Sequence, residues 1–163
     1  MKINSVDGLP FVVRHVRNFQ DFNWETSEEG VEYDPFGGVS FGFLIDNENK
    51  QLRFVIGICR DNERFVRKIA FDVLVGRMQK GPDHYYVMGN YNRDFSLVEN
   101  AVSALKKMFD EDFTDGSSVW PFMNTEAVLI QEPKNHKGTG RAVAKKAIVA
   151  VTDNYEGSFH KYL

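Results

Sequence analysis

The sequence predicts a single α+β domain, spanning 1–163, in which an antiparallel sheet with a central hairpin is packed by two or three helices. Apolar residues alternate along 39–46, and the polar run 47–50 leads into a second β-type segment at 52–59, as in a hairpin. Residues 97–109 follow helical spacing behind a capping signal. A length of 163 residues, with 42% hydrophobic and 26% charged residues, fits one globular core.

Further strands and a terminal helix are predicted along the chain. The strands lie at 9–16, 83–91 and 127–131, and the helix lies at 141–151. The stretches at 110–118 and 132–140 carry acidic or glycine residues and are predicted loops. The order of the strands in the sheet stays open.

The best-defined predicted helix is 97–109. Ser96 and Glu99 form an S-x-x-E capping box at its start. The following apolar residues recur at helical spacing and predict one buried face: Val98, Ala101, Val102, Leu105, Met108 and Phe109.

The segment 65–79 carries two conflicting patterns. Ile69, Phe71 and Val73 alternate as in a strand, and this alternation favours a strand. A preceding Asp61 or Asn62 is instead typical of a helix N-cap. Periodicity alone slightly favours a strand, and the choice between helix and strand stays open.

Charge and cysteine content limit the class of protein. The formal net charge of −3 argues against a protein that coats nucleic acid non-specifically, because that mode requires a large positive excess. The single cysteine excludes an intramolecular disulfide. The first residues lack an apolar signal core, and no apolar run approaches the roughly 20 residues that span a bilayer. We therefore expect a cytoplasmic protein that does not contact membranes.

The segment 57–77 resembles a pattern that recurs in small uncharacterised proteins of bacteriophages. In that pattern a strand ends in Cys, an aromatic residue follows six positions later, two basic residues come next, and the segment ends in Gly-Arg. The matching residues here are Cys59, Phe65, Arg67, Lys68, Gly76 and Arg77. The resemblance implies a phage origin, hence action in the host cytoplasm, and a helix after the basic pair. It implies no activity.

No catalytic, cofactor or metal site is predicted. Cys59 ends an apolar strand, where a free cysteine usually behaves as a small buried hydrophobe rather than as a nucleophile. The four histidines are scattered, without the spacing of a metal site.

Two further motifs resemble parts of known families. The loop 135–142 is similar to the pyrophosphate-binding loop of GCN5-type N-acetyltransferases, with Gly138, Gly140 and Arg141 at matching positions. The strand 39–43 resembles the aromatic strand of RNA-recognition and cold-shock domains, whose exposed rings stack on bases. A plain loop before a helix and a core strand are the favoured interpretations.

The segment 19–36 combines six acidic residues and several rings with no basic residue. We interpret it as a long loop, and long loops in compact domains are often functional. Rings supply buried anchors at protein interfaces, while acids orient a basic partner. The predicted partner-binding residues are Phe22, Trp24, Glu28, Glu29, Glu32 and Tyr33.

The sequence therefore predicts a non-enzymatic phage accessory protein that binds and modulates a host protein, for example in counter-defence or host takeover. A nucleic-acid-binding protein is the alternative, with phosphate contacts from a basic face formed by Arg64, Arg67, Lys68 and Arg77. A degenerate GCN5-like acyltransferase is a distant third. The identity of the host protein and the oligomeric state stay open.

Overall fold

A computed structural model describes residues 5–6, 8–17, 35–109, 124–134 and 140–160, with side chains up to Thr152. Six strands form one sheet in chain order: β1 (Ser5–Val6), β2 (Leu9–Val16), β3 (Phe36–Asp46), β4 (Gln51–Arg64), β5 (Tyr86–Gly89) and β6 (Val128–Gln131). The described helices are α1 (Arg67–Gln79), α2 (Leu97–Met108) and α3 (Arg141–His160), and a 3₁₀ turn spans Pro82–His84.

The sheet is an antiparallel meander in which each strand pairs with its neighbours in sequence. At its centre, β3 and β4 form the predicted hairpin, with a register that runs from Val39 opposite Ile58 to Asp46 opposite Gln51. The prediction of an α+β fold with an antiparallel sheet and a central hairpin is confirmed.

Helices cover both faces of this sheet. Because side chains alternate along a strand, Phe41 and Phe43 point to the face covered by α2 and α3. Leu44 of β3 and Val55 of β4 point to the opposite face, where they pack against α1. The molecule therefore has three layers, with an apolar cluster on each side of the sheet.

Residues 67–79 are helical, so the strand favoured by alternation is wrong and the helix implied by the phage resemblance is right. The buried face of α1 consists of Leu74, Val75 and Met78, with Phe71 partly buried one turn earlier. Residues 71, 74, 75 and 78 follow helical spacing. Ile69, which contributed to the apparent alternation, is 62% exposed.

The predicted cap of α2 is confirmed. The Ser96 hydroxyl accepts a hydrogen bond from the Glu99 backbone N–H at 3.1 Å. Ser96 itself has extended backbone dihedral angles, as an N-cap residue requires. Among the described residues, no helix is both long and apolar enough to cross a membrane.

Some element limits differ from the prediction. β4 continues to Arg64, beyond the predicted end at Cys59, and α3 continues to His160, beyond the predicted end at Val151. The predicted strand 83–91 shrinks to β5, because Pro82 begins a 3₁₀ turn.

Candidate functional site

A groove of about 280 Å³ lies between α1 and the adjoining ends of β3 and β4. Its lining is mostly apolar, with polar and charged groups at intervals. The lining residues are Ser40, Gly57, Ile58, Cys59, Glu63, Arg64, Phe65, Val66, Ile69, Ala70, Val73 and Arg77. We call this feature the α1 groove.

One wall of the α1 groove is an exposed aliphatic stripe. Val66, Ile69 and Val73 are 40%, 62% and 39% exposed, and they follow one another at roughly one helical turn. Helix α1 thus has two apolar faces: one packs on the sheet and the other borders the groove. Contiguous exposed apolar surface is typical of an interaction site.

Small residues on the sheet allow α1 to lie close to it. A Cβ atom on Gly42 would lie 3.0 Å from Phe11 Cζ and 3.2 Å from Leu74 Cβ, so a larger residue would require its neighbours to shift. A Cβ on Gly57 would lie 3.5 Å from Leu74 Cδ2, which is ordinary van der Waals contact. Gly57 therefore leaves space beside the helix, and that space belongs to the groove.

Three of the four residues of the predicted basic face lie around the N-terminal end of α1. Arg64 ends β4, while Arg67 and Lys68 occupy the first turn of the helix, and all three are exposed. That turn contains no acidic residue. Cations at a helix N-terminus oppose the helix dipole, at a cost of about 0.3–1 kcal/mol each. These cations therefore do not serve the stability of α1.

Arg77, the fourth residue of this face, has a structural anchor. Its guanidinium donates a hydrogen bond to the Ile56 backbone carbonyl across the groove floor. Burial lowers the pKa of Arg77 from its ordinary value. Arg77 thus joins α1 to β4 and places positive charge inside the groove.

His15 and Ser40, which the sequence did not predict as a pair, meet beside the groove, and Ser40 is part of its lining. His15 Nδ1 lies 2.6 Å from Ser40 Oγ, because the two residues are cross-strand neighbours in β2 and β3. Burial lowers the pKa of His15, and the positive charges of Arg67 and Arg17 lower it further. The only signal for this pair is strand register, which the sequence did not reveal.

The His15 and Ser40 pair has the spacing of a base and a nucleophile. However, Ser40 lies in the middle of a strand that is paired on both sides, opposite His15 and Gly57, and is 2% exposed. A backbone committed to a sheet ladder is poorly placed to offer N–H groups to a developing oxyanion. We therefore interpret the pair as a polar contact that joins two strands.

Cys59 is half-buried rather than enclosed in the core, so the expected burial is only partly right. Its thiol donates to the Glu63 carbonyl at 3.3 Å, across the base of a protrusion in β4. The register between β3 and β4 shifts at this protrusion, because Gly38 lies opposite Cys59 whereas Phe36 lies opposite Arg64. This contact gives Cys59 a local structural role.

The predicted partner-binding residues Phe22, Trp24, Glu28, Glu29, Glu32 and Tyr33 lie outside the described residues. Two described residues near the ends of the segment 19–36, Arg17 and Pro35, contact the groove residue Phe65. The Arg17 guanidinium lies 4.7 Å from the Phe65 ring centre, and the Pro35 carbonyl accepts from the Phe65 N–H at 2.9 Å. The acidic segment therefore leaves and rejoins the described fold beside the α1 groove.

The two weaker motifs gain no support. Phe41 and Phe43 have no exposed surface, so they serve the core and are not available to stack on bases. In the acyltransferase-like loop, Arg141 forms a two-point ion pair with Glu132, with N···O distances of 3.0 and 3.1 Å. Gly138 lies outside the described residues. In the described part of the chain, no group of three or more His, Cys, Asp or Glu side chains is placed to hold a metal ion.

Comparisons of the chain with protein-family models, curated proteins and solved structures find no match. The class that the fold defines is an open antiparallel sheet between helical layers, with a helix-bordered groove on one face.

Proposed function

We propose that this protein is a non-enzymatic accessory protein that binds another protein through the α1 groove and modulates it. The single observation that carries this proposal is the exposed stripe of Val66, Ile69 and Val73, which borders a groove with cations at its end. The resemblance of segment 57–77 to phage proteins would make the partner a host protein.

The chemistry of the groove favours an acidic partner segment with aliphatic or aromatic anchors. Apolar side chains of the partner would fill the space beside Ile58 and Ile69, because buried anchors contribute most of the binding energy at interfaces. Partner carboxylates would meet Arg64 and Lys68 at the rim, where they mainly affect orientation and association rate. An amphipathic helix with one acidic face meets both requirements.

Nucleic acid is the less favoured ligand for the same surface. Phosphate contacts would have to form around an aliphatic stripe that offers no hydrogen bond, and Glu63 adds a negative charge to the lining. Bases stack on aromatic side chains, whereas the exposed wall of the groove is aliphatic and Phe65 is buried.

The acidic segment provides a second candidate surface for the same function. Arg17, just before the segment, and Pro35, near its end, both contact Phe65, so a partner in the groove would lie near both ends of the segment. The six residues predicted from the sequence therefore stay a proposed contact surface.

The test starts with capture of partners from a bacterial lysate, followed by affinity measurements with the purified partner. We expect Ile69→Glu to abolish capture and Arg64→Glu with Lys68→Glu to weaken binding by at least tenfold, with a larger effect at low salt. Lys146→Glu is the matched control, because Lys146 is exposed on α3 at the opposite face of the sheet.

Circular dichroism and thermal unfolding must show that each variant is folded. Equal capture by the folded Ile69→Glu variant and the wild-type protein would contradict the proposal. A salt-dependent mobility shift with DNA or RNA that Arg64→Glu with Lys68→Glu removes, in the absence of any captured protein, would instead support the nucleic-acid alternative.

A further inference from the structure

A second cleft, of about 470 Å³, lies at the other end of the central hairpin. Three loops form it: the β3 to β4 turn, the loop from β5 to α2, and the turn before β6. Its lining is polar, in contrast to the α1 groove, and consists of Asn47, Lys50, Asn90, Tyr91, Asn92, Arg93 and Glu126. Its volume falls in the range of about 300–1,000 Å³ that is usual for small-molecule sites.

The charged groups of this cleft favour an anion. Lys50 and Arg93 supply two cations against the single carboxylate of Glu126. Within the described residues, neither Lys50 nor Arg93 has an ion pair or side-chain hydrogen bond. Arginine forms two-point hydrogen bonds with phosphate and lysine adds a point charge. The two cations balance a doubly charged phosphate group, whereas a carboxylate carries only one negative charge.

Neutral polar groups supply the remaining contacts. The carboxamides of Asn47 and Asn92 line the cleft, and the Nδ2 groups of both make no hydrogen bond to a described residue. Carboxamides donate and accept hydrogen bonds, whereas the Glu126 carboxylate only accepts. Hydroxyl groups on the ligand would pair with these side chains.

Hydrogen bonds between the three loops hold the cleft in one shape. The Tyr91 N–H donates to the Lys50 carbonyl at 3.1 Å, and this bond joins the first loop to the second. Asn90 Nδ2 donates to the Glu126 carbonyl at 3.0 Å, while Asn124 Nδ2 donates to the Asn90 carbonyl at 3.0 Å. A site held by such supporting contacts binds a ligand at lower entropic cost.

Two residues at the cleft have left-handed backbone conformations. Lys50 and Asn90 have φ angles of 52° and 59°, and they are the non-glycine residues with positive φ in the described part of the chain. The left-handed region is unfavourable for lysine, and strain of this kind concentrates at functional sites. Asparagine adopts this region more readily, so the strain is at Lys50, and both residues line the cleft.

We propose that the cleft binds a small phosphate ester that also carries hydroxyl groups. Lys50 and Arg93 hold the phosphate, and Asn47, Asn92 and Glu126 contact the hydroxyl groups.

The experiment titrates the 163-residue protein with ribose 5-phosphate, ribose and inorganic phosphate, and binding is measured by calorimetry and by NMR shifts of backbone amides. We expect saturable binding of ribose 5-phosphate, at least tenfold weaker binding of inorganic phosphate, and no binding of ribose at the same concentrations. Lys50→Gln and Arg93→Gln should each weaken the affinity for ribose 5-phosphate at least tenfold.

Two further variants keep this test decisive. Arg60→Gln removes one exposed charge at the far end of β4 and should leave the affinity unchanged. Lys50→Gly removes the charge and relieves the positive φ, so it should bind at least tenfold more weakly while unfolding at the same or a higher temperature. An equal loss in Arg60→Gln, the absence of saturable binding, or phosphate binding as tight as that of ribose 5-phosphate would overturn the proposal.

Discussion

At the residue scale, the surroundings of His15 explain the lowered pKa of its side chain. Its ring lies edge-on to Phe65, with ring centres 5.1 Å apart, and its Nδ1 contacts Ser40. Burial and the nearby charges of Arg67 and Arg17 disfavour the protonated imidazole, so the pKa of His15 lies below its ordinary value of 6.5. The folded protein therefore favours the neutral imidazole more than the unfolded chain does.

This lowered pKa makes stability depend on pH. Below about pH 6.5 the unfolded chain binds a proton at His15 that the folded protein does not, so the free energy of unfolding falls as the pH drops towards the lowered pKa. We expect urea denaturation to show a smaller loss between pH 7.5 and pH 5.5 in His15→Gln than in the wild type. Glutamine retains a polar partner for Ser40. Identical pH dependence in the two proteins would contradict the assignment.

Gly42 marks the closest approach of α1 to the sheet. A Cβ there would lie within 3.2 Å of Phe11, Val55 and Leu74 at once, and Leu74 Cβ is too close to the helix backbone to move freely. We expect Gly42→Ala to lower the free energy of unfolding by about 1–3 kcal/mol through overpacking.

Gly57→Ala is the matched control for this prediction. Its nearest neighbour, Leu74 Cδ2, lies at 3.5 Å. The substitution should be neutral or should stabilise by about 0.4–1 kcal/mol, because alanine restricts the unfolded chain. Chemical denaturation of both variants measures the difference, and equal stabilities would show that the close contact at Gly42 is not limiting.

At the scale of elements, local signals predicted α2 better than α1. The cap of α2 and its apolar spacing both lie in the sequence, and the structure confirms them. Helix α1 has Val66 at its N-cap position without a side-chain cap. Since Ile69 and Val73 are apolar yet exposed, its two apolar faces imitate the alternation of a strand. Packing against the sheet, which includes the contacts of Leu74 with Gly42 and Gly57, separates the buried face from the exposed one.

The cap of α2 gives a direct prediction. Ser96→Ala should lower the free energy of unfolding by about 0.5–2 kcal/mol, because the Glu99 N–H loses its acceptor. Ser96→Asp should retain most of the stability, since its carboxylate also caps and interacts favourably with the helix dipole. Urea denaturation checks both values, and a full loss in Ser96→Asp would argue that the hydroxyl has another role.

At the scale of the whole molecule, the three layers separate two surfaces of different chemistry. The aliphatic α1 groove with its cations lies at one end of the hairpin, and the polar cleft with Lys50 and Arg93 lies at the other. Charge is also unevenly distributed along the chain. The segment 19–36 contributes six acidic residues and no basic residue to the net charge of −3.

This distribution allows the two proposed protein-binding surfaces to be distinguished by kinetics. If an acidic partner occupies the α1 groove, Glu28→Lys with Glu29→Lys should leave association unchanged or speed it, whereas Arg64→Glu with Lys68→Glu should slow it. If a basic partner binds the acidic segment, the first pair slows association and reduces its salt dependence. Trp24→Ala then speeds dissociation, at a cost of about 2 kcal/mol or more for a central anchor.

Association and dissociation rates of the captured partner, measured at two salt concentrations, decide between the surfaces. We expect the pattern of an acidic partner. If the Glu28→Lys, Glu29→Lys variant is folded and associates more slowly than the wild type, the acidic segment is the interface.

The sequence by itself determined the features that depend on local pattern. Alternation along β3, the polar turn at 47–50 and the cap at Ser96 are encoded by neighbouring residues, so the hairpin and α2 followed from them. The basic residues around the start of α1 were also predicted from the sequence. Their position beside an aliphatic stripe was not.

Only the tertiary structure decided which residues meet across the chain. Strand register places His15 beside Ser40, and the absence of a side chain at Gly42 lets α1 lie on the sheet. Such contacts join residues far apart in sequence, and their energy depends on burial and distance rather than on residue type alone. The α1 groove and the polar cleft both form through these contacts. From the sequence, the basic residues beside the α1 groove could be predicted, but neither site could.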